Sequence, residues 1–153
     1  MSRPPPASHL TSHLGYWLRY VSNHVSHAFA RKLDGEGVTV AEWVVLRELY
    51  GEDALAPSRL AERLGLTRGA ISKLADRLLE KALLVRAESP DDRRAHTLTL
   101  SPAGRALVPS LSALADRNDA EFFDHLTDEE RATVERIMKG IVERRGLKDV
   151  PVS

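Results

Sequence analysis

The chain contains no cysteine. That excludes disulfides, thiolate metal sites, cysteine nucleophiles and thiol redox sensing. It has no apolar run approaching the ~18 residues of a membrane span. Its opening, MSRPPPASHLTSH, lacks the apolar stretch of a secretory signal, and a cytosolic location is expected on that ground alone. A phosphate-binding glycine loop, a zinc-hydrolase motif and a serine nucleophile elbow are all missing. A small enzyme is therefore disfavoured, and nothing in the sequence calls for a cofactor. Net charge is absent too, with 22 Lys/Arg against 22 Asp/Glu. That balance conceals a segregation. Between Pro57 and Arg105 there are ten Lys/Arg and six Asp/Glu, a local excess of about +4, which leaves about −4 for the remainder. For a phosphate-binding surface the local excess matters more than the total.

What is present, in 153 residues, is mostly helical pattern, enough for one domain with a core. After Pro4, Pro5 and Pro6, apolar residues recur at spacings of three and four through Leu10, Leu14, Trp17, Leu18, Val21, Val25 and Phe29. They predict a long helix from about Ser8 to Lys32, ended by Asp34 and Gly35. Thr39 with Glu42 forms a capping box for a second helix. Pro57 suits the first turn of a short third helix carrying Leu60, Ala61 and Leu64. The turn Gly65–Leu66–Thr67 breaks that helix, and Thr67 caps a fourth of about fourteen residues with Ile71, Leu74 and Leu78 inward. Leu84 to Glu88 and Ala95 to Leu100 read as two short strands joined by a charged loop. Ser101 and Pro102 start a fifth helix, and Thr127 with Glu130 caps a last one with an apolar face of Val134, Ile137, Met138 and Ile141.

A short helix, a glycine-containing turn and a longer helix make a helix-turn-helix pattern. On the fourth helix, Arg68, Gly69, Ser72, Lys73, Asp76 and Arg77 point largely away from the apolar side. Recognition helices present such N-terminal residues to base edges in the major groove. Gly69 costs roughly 1 kcal/mol of helix stability relative to alanine. Either a DNA backbone approaches closely there, or the first helical turn simply tolerates glycine. The hairpin that follows stands where a wing would. Arginine at its tip suits the narrow, negative minor groove. An acid beside it, Asp92, can hold one arginine in place and so reduce the entropy lost on binding.

The stretch SRLAERLGLTRGAISKLADRLLEKALLVRAESPDDRRAHTLTLSPAG resembles the winged helix-turn-helix of MarR-type bacterial transcription regulators. Their wing motif is D-x-R, five residues, then L-T. Here it reads Asp92, Arg93, Arg94, five residues, Leu100, Ser101, with serine in a capping position that threonine also fills. Ala82 stands where a glycine commonly follows the fourth helix. The resemblance spans about residues 10 to 145. It implies a mainly α fold with a small β-wing, in which a winged helix-turn-helix lobe (38–101) joins a helical dimerisation region (8–35 and 102–146). It further implies a homodimer on a pseudo-palindromic operator in double-stranded DNA, usually a repressor relieved by a small ligand. Carried over by position, Asp92 orients the wing and Arg94 enters the minor groove. Thr67, Arg68, Ser72, Lys73 and Arg77 meet bases or phosphates, and Gly69 and Arg93 belong to the same surface. The competing reading is a winged-helix module that binds protein in place of DNA.

The first helix adds a second stripe. On a 100° wheel, His9, His13, Tyr16, Trp17, Tyr20, His24 and His27 fall on one arc beside the apolar face. Three readings stand together: a dimer contact or partly exposed face, a pocket for a small aromatic effector, or a metal site at the helical spacings His9/His13 and His24/His27. No acid in the stripe completes a metal set. In MarR-type regulators the effector pocket commonly lies between the first helices and the DNA-binding lobe. That location favours the pocket among the three readings, and its candidate lining is His13, Tyr16, Trp17, Tyr20 and His24, with Trp43 and Arg47 of the second helix as a candidate opposite wall.

Overall fold

A computed structural model describes residues 2–88, 96–148 and 150–152. Among these described residues, a 3-10 turn, Leu10–Ser12, precedes six helices and one strand pair. In chain order these are α1 (Leu14–Asp34), α2 (Val40–Tyr50), α3 (Pro57–Leu64), α4 (Arg68–Glu80), β1 (Leu84–Glu88), β2 (His96–Leu100), α5 (Pro102–Phe123) and α6 (Asp128–Arg145). The expected fold, mainly α with a small β-wing, is the one observed.

Local chemistry accounts for most boundaries. Thr39 and Glu42 close a full capping box on α2, and Thr127 and Glu130 do the same for α6. Thr67 accepts from the Ala70 amide to start α4, and Ser101 accepts from the Gly104 amide to start α5. Gly65 ends α3 in the left-handed region at φ 66°, which glycine adopts without a Cβ penalty.

The first helix differs from the expectation. It begins at Leu14, not near Ser8, because His13 is extended (φ −99°, ψ 125°). The Ser12 hydroxyl donates to the His9 carbonyl, and the Trp17 indole donates to the Thr11 carbonyl at 2.9 Å. These side-chain bonds offer the backbone an alternative to continuing the helix. His9 and His13 therefore leave the helical stripe, and their i,i+4 spacing does not survive.

The strands pair antiparallel with Leu84 opposite Leu100 and Glu88 opposite His96. Leu55, before α3, bonds both ways to Leu98 and ties the wing base to the helix-turn-helix. The core gathers Leu33, Leu46, Leu49, Leu60, Ile71, Leu78, Leu84, Leu98 and Leu111, each essentially without exposure. It lies under α2, α3, α4, the strands and the first half of α5. Buried Asn118 on α5 donates to the Val25 carbonyl of α1 and accepts from Lys32, which also pairs with Glu121 at 2.8 Å. By contrast α6 buries no residue at all. Among the described residues no helix is long and apolar enough to cross a membrane.

Candidate nucleic-acid interface

The fourth helix buries Ile71, Leu74, Ala75 and Leu78 and leaves Arg68, Gly69, Ser72, Lys73, Asp76 and Arg77 exposed. Thr67 is its N-cap and is likewise exposed. The outward face read from the wheel is thus the outward face in space. Its N-terminus also carries the positive end of the helix dipole, which favours phosphate.

Beside the first turns of α4 lies an open cleft of about 540 Å³. Pro57 and Ser58 at the start of α3 form one wall, Arg68, Gly69 and Ser72 another, and Arg86 and His96 on the strands the third. A Cβ added at Gly69 would meet nothing nearer than the Thr67 hydroxyl at 4.0 Å. Packing within the chain therefore does not demand glycine there. Arg86 stands 3.6 Å from Asp76 of α4, an acid steering an arginine over the recognition helix. Both side chains are exposed, so the pair adds little stability. It restricts where the guanidinium points.

Ser58, Arg86 and His96 were not singled out from sequence. The available hint was register: Arg86 lies opposite Leu98 and Glu88 opposite His96, so these four side chains share one face of the hairpin. The wing-tip candidates Asp92, Arg93 and Arg94 lie outside the described residues.

The aromatic candidates divide. Tyr16, Trp17, Tyr20 and His24 form a ladder along α1. Tyr20 stacks on His24 at 5.3 Å and on Trp17 at 6.4 Å, with Tyr16 edge-on to Trp17 and Tyr20. Trp17, Tyr20 and His24 are exposed in the single chain. His13 sits before the helix, 3.1 Å from the Ser8 hydroxyl. Trp43 turns instead against Phe29 in a perpendicular contact, and Arg47 lies over the Tyr50 ring at 5.6 Å. The structure therefore assembles four of the seven residues and engages Trp43 and Arg47 elsewhere. Among the described residues no group of three or more His, Asp or Glu side chains could hold a metal ion.

An exposed recognition helix, a two-stranded wing packed behind it and a basic cleft between them define a winged helix-turn-helix with a surface suited to DNA. Comparison with known proteins gives the family. The MarR family profile matches residues 36–95. A Thauera aromatica protein assigned to transcriptional regulation of the hcr operon is 32% identical over 131 residues, covering 85% of this chain and 79% of that protein. The Bacillus subtilis HTH-type transcriptional repressor MdtR is 29% identical, covering 81% of this chain and 80% of the repressor. A crystal structure of an Escherichia coli MarR cysteine-to-serine mutant with operator DNA superposes with a TM-score of 0.76 at 25% identity, over 84% of this chain and 93% of that one. The chain belongs to the MarR family of transcriptional regulators.

Proposed function

We propose that the protein is a ligand-responsive repressor that binds a pseudo-palindromic operator as a homodimer, in the cytoplasm and without catalysing a reaction. The observation that carries the DNA side is the joining of α4 to the wing base. Arg68, Ser72, Arg86 and His96 converge on one cleft beside Gly69. The chemistry assembled is cations and hydroxyl donors around an open groove, which suits the sugar-phosphate backbone. Lys73 and Arg77 extend the basic face along the helix, and Thr67 stands at its tip. Asp92, Arg93 and Arg94, outside the described residues, are assigned DNA contacts on their motif alone. The similar E. coli protein was solved on operator DNA, which supports the same use of this surface.

Dimerisation rests on unpaid apolar surface. Leu14, Leu18 and Val21 on α1 and Val134, Ile137, Met138 and Ile141 on α6 are all exposed in the single chain. A groove of about 380 Å³ between α1, Phe123 and α6 is lined almost wholly by such side chains. A second copy burying 8–35 and 102–146 removes this surface from water. The aromatic ladder on α1 favours a small aromatic acid as the effector, with ring faces from Tyr16, Trp17 and Tyr20 and a polar partner in His24.

The test is an electrophoretic shift on the promoter DNA beside the protein's own gene across a salt series. Binding should weaken linearly in log–log form, with a slope of about −0.9 per phosphate contacted. Arg86→Ala should reduce that slope by about one contact. A wild-type protein that shifts no promoter fragment, or whose binding ignores salt, defeats the proposal.

A further inference from the structure

The C-terminal end of the recognition helix is held by a lysine whose donors are all spent. Lys81, the residue after α4, places its ammonium 2.9 and 2.8 Å from the two carboxylate oxygens of Glu42 and 2.8 Å from the Gly37 carbonyl. An ammonium has three donors, and here each has an acceptor. Glu42 is 1% exposed, and the same carboxylate accepts from the Thr39 amide in the α2 capping box. Gly37 lies in the corner between α1 and α2. One side chain thus joins the end of α4 to the corner that follows the first helix.

The next two residues tie the same point to α5. The Ser101 hydroxyl donates to the Ala82 carbonyl at 2.7 Å, and the Ser101 amide donates to the Leu83 carbonyl at 3.0 Å. Gly104 packs so tightly there that an added Cβ would fall 2.1 Å from the Leu83 carbonyl oxygen. Ala82 itself is held at φ 60°, a left-handed conformation that an L side chain rarely adopts. Such strain persists only where surrounding contacts over-determine the backbone. Residues 81–83 are thus where α1, α2 and α5 meet the exit of the recognition helix.

We infer that Lys81 is a positioning residue for operator recognition: through Glu42 and Gly37 it sets the tilt of α4 against the α1–α2 corner. The inference rests on the DNA-binding reading above. The lever arm decides why the contact matters. At 1.5 Å per residue, Arg68 lies about 20 Å from Lys81 along the helix. A tilt of about 5° at Lys81 moves the N-terminal turn by about 1.7 Å over that length. The distance window of a good hydrogen bond is only about 0.5 Å. Base contacts are lost by that movement, whereas phosphate attraction is not. Stability alone is a poor reason for the pair, because Lys81 stays 39% exposed and taking the Glu42 carboxylate out of water offsets much of the attraction.

The experiment compares two probes: a duplex selected from a random pool by the wild-type protein, and a scrambled duplex of the same length and composition. The main variant is Glu42→Gln/Lys81→Met, which removes the pair without stranding a buried charge and keeps an acceptor for the Thr39 amide. It should remain dimeric and bind the scrambled duplex as the wild type does. Its affinity for the selected duplex should fall about tenfold or more, within the ordinary range of coupling between sites. Lys81→Arg, which keeps a cation against Glu42, should recover part of that loss. An unchanged ratio of selected to scrambled affinity overturns the inference, whether neither affinity moves or both fall equally. A wild-type protein that enriches no duplex overturns the DNA-binding reading first, and the positioning role with it.

Discussion

Replacing Gly69 by alanine should make the protein more stable and worse at its task. The residue occupies the first turn of α4 and lines the basic cleft. Its added Cβ would have the Thr67 hydroxyl at 4.0 Å as its nearest neighbour, so there is no internal clash to offset the helical preference. Alanine is favoured over glycine in a helix interior by up to about 1 kcal/mol, and somewhat less in a first turn. For a chain of this length, about 0.5 kcal/mol corresponds to a rise of roughly 1–2 °C in Tm. On DNA the same methyl group projects into the space where the backbone is to approach. Inserting a methyl into a close-packed contact costs about 1–3 kcal/mol, which is roughly a 5- to 150-fold loss of affinity. Thermal unfolding at fixed protein concentration and fluorescence anisotropy on a selected duplex measure the two effects separately. A Gly69→Ala protein with wild-type affinity would refute the close-approach argument and leave the glycine as merely tolerated.

Three further substitutions probe the frame around α4. Ala82→Gly should stabilise the protein by about 0.5–1 kcal/mol, because relief of the left-handed alanine exceeds the entropy that glycine adds to the unfolded chain; chemical denaturation reads it. Gly104→Ala should destabilise by about 2–4 kcal/mol, since its Cβ must displace the Leu83 carbonyl and with it the Ser101 amide bond. Glu42 supplies a pH test. Burial raises its pKa, but hydrogen bonds from Lys81 and from the Thr39 backbone and side chain, with the Lys81 charge, outweigh that and leave it below the ordinary carboxylate value. A depressed folded pKa gives stability that is present above the unfolded value and lost as pH falls through the folded one. The advantage of wild type over Glu42→Gln should therefore be about 1–2 kcal/mol near neutral pH, less than for a fully enclosed pair because Lys81 can turn to water. It should shrink as pH drops below about 4.5, and a constant difference across that range would contradict the assigned ion pair.

Much of the fold was legible because its signals are local. Thr39 with Glu42, Thr127 with Glu130, Pro57, Gly65 and Ser101–Pro102 each mark a boundary through bonds within a few residues, and each boundary stands in the structure. The polar face of α4 was legible for the same reason, since helical periodicity alone turns Arg68, Ser72 and Lys73 outward. What escaped was tertiary. The wheel carried α1 through His9 and His13, where side-chain bonds from Ser12 and Trp17 break the helix. Trp43 packs its ring edge-to-face on Phe29 against the edge of the core, a tertiary contact that no spacing announces. By spacing alone Glu42 is a cap and nothing more. Its second role depends on Lys81, 39 residues away, and no spacing rule connects them. Arg86 and His96 become neighbours of Arg68 only once the hairpin folds against α4.

As a homodimer, two copies of this chain should present their recognition helices to successive turns of one DNA face. Hydroxyl-radical footprinting of the wild-type protein on a selected duplex tests this arrangement most directly. Two protected patches related by a two-fold axis should appear, with centres about one helical turn apart, roughly 34–36 Å, or a multiple of that. A single protected patch, or no protection under conditions where the protein is folded, would contradict it.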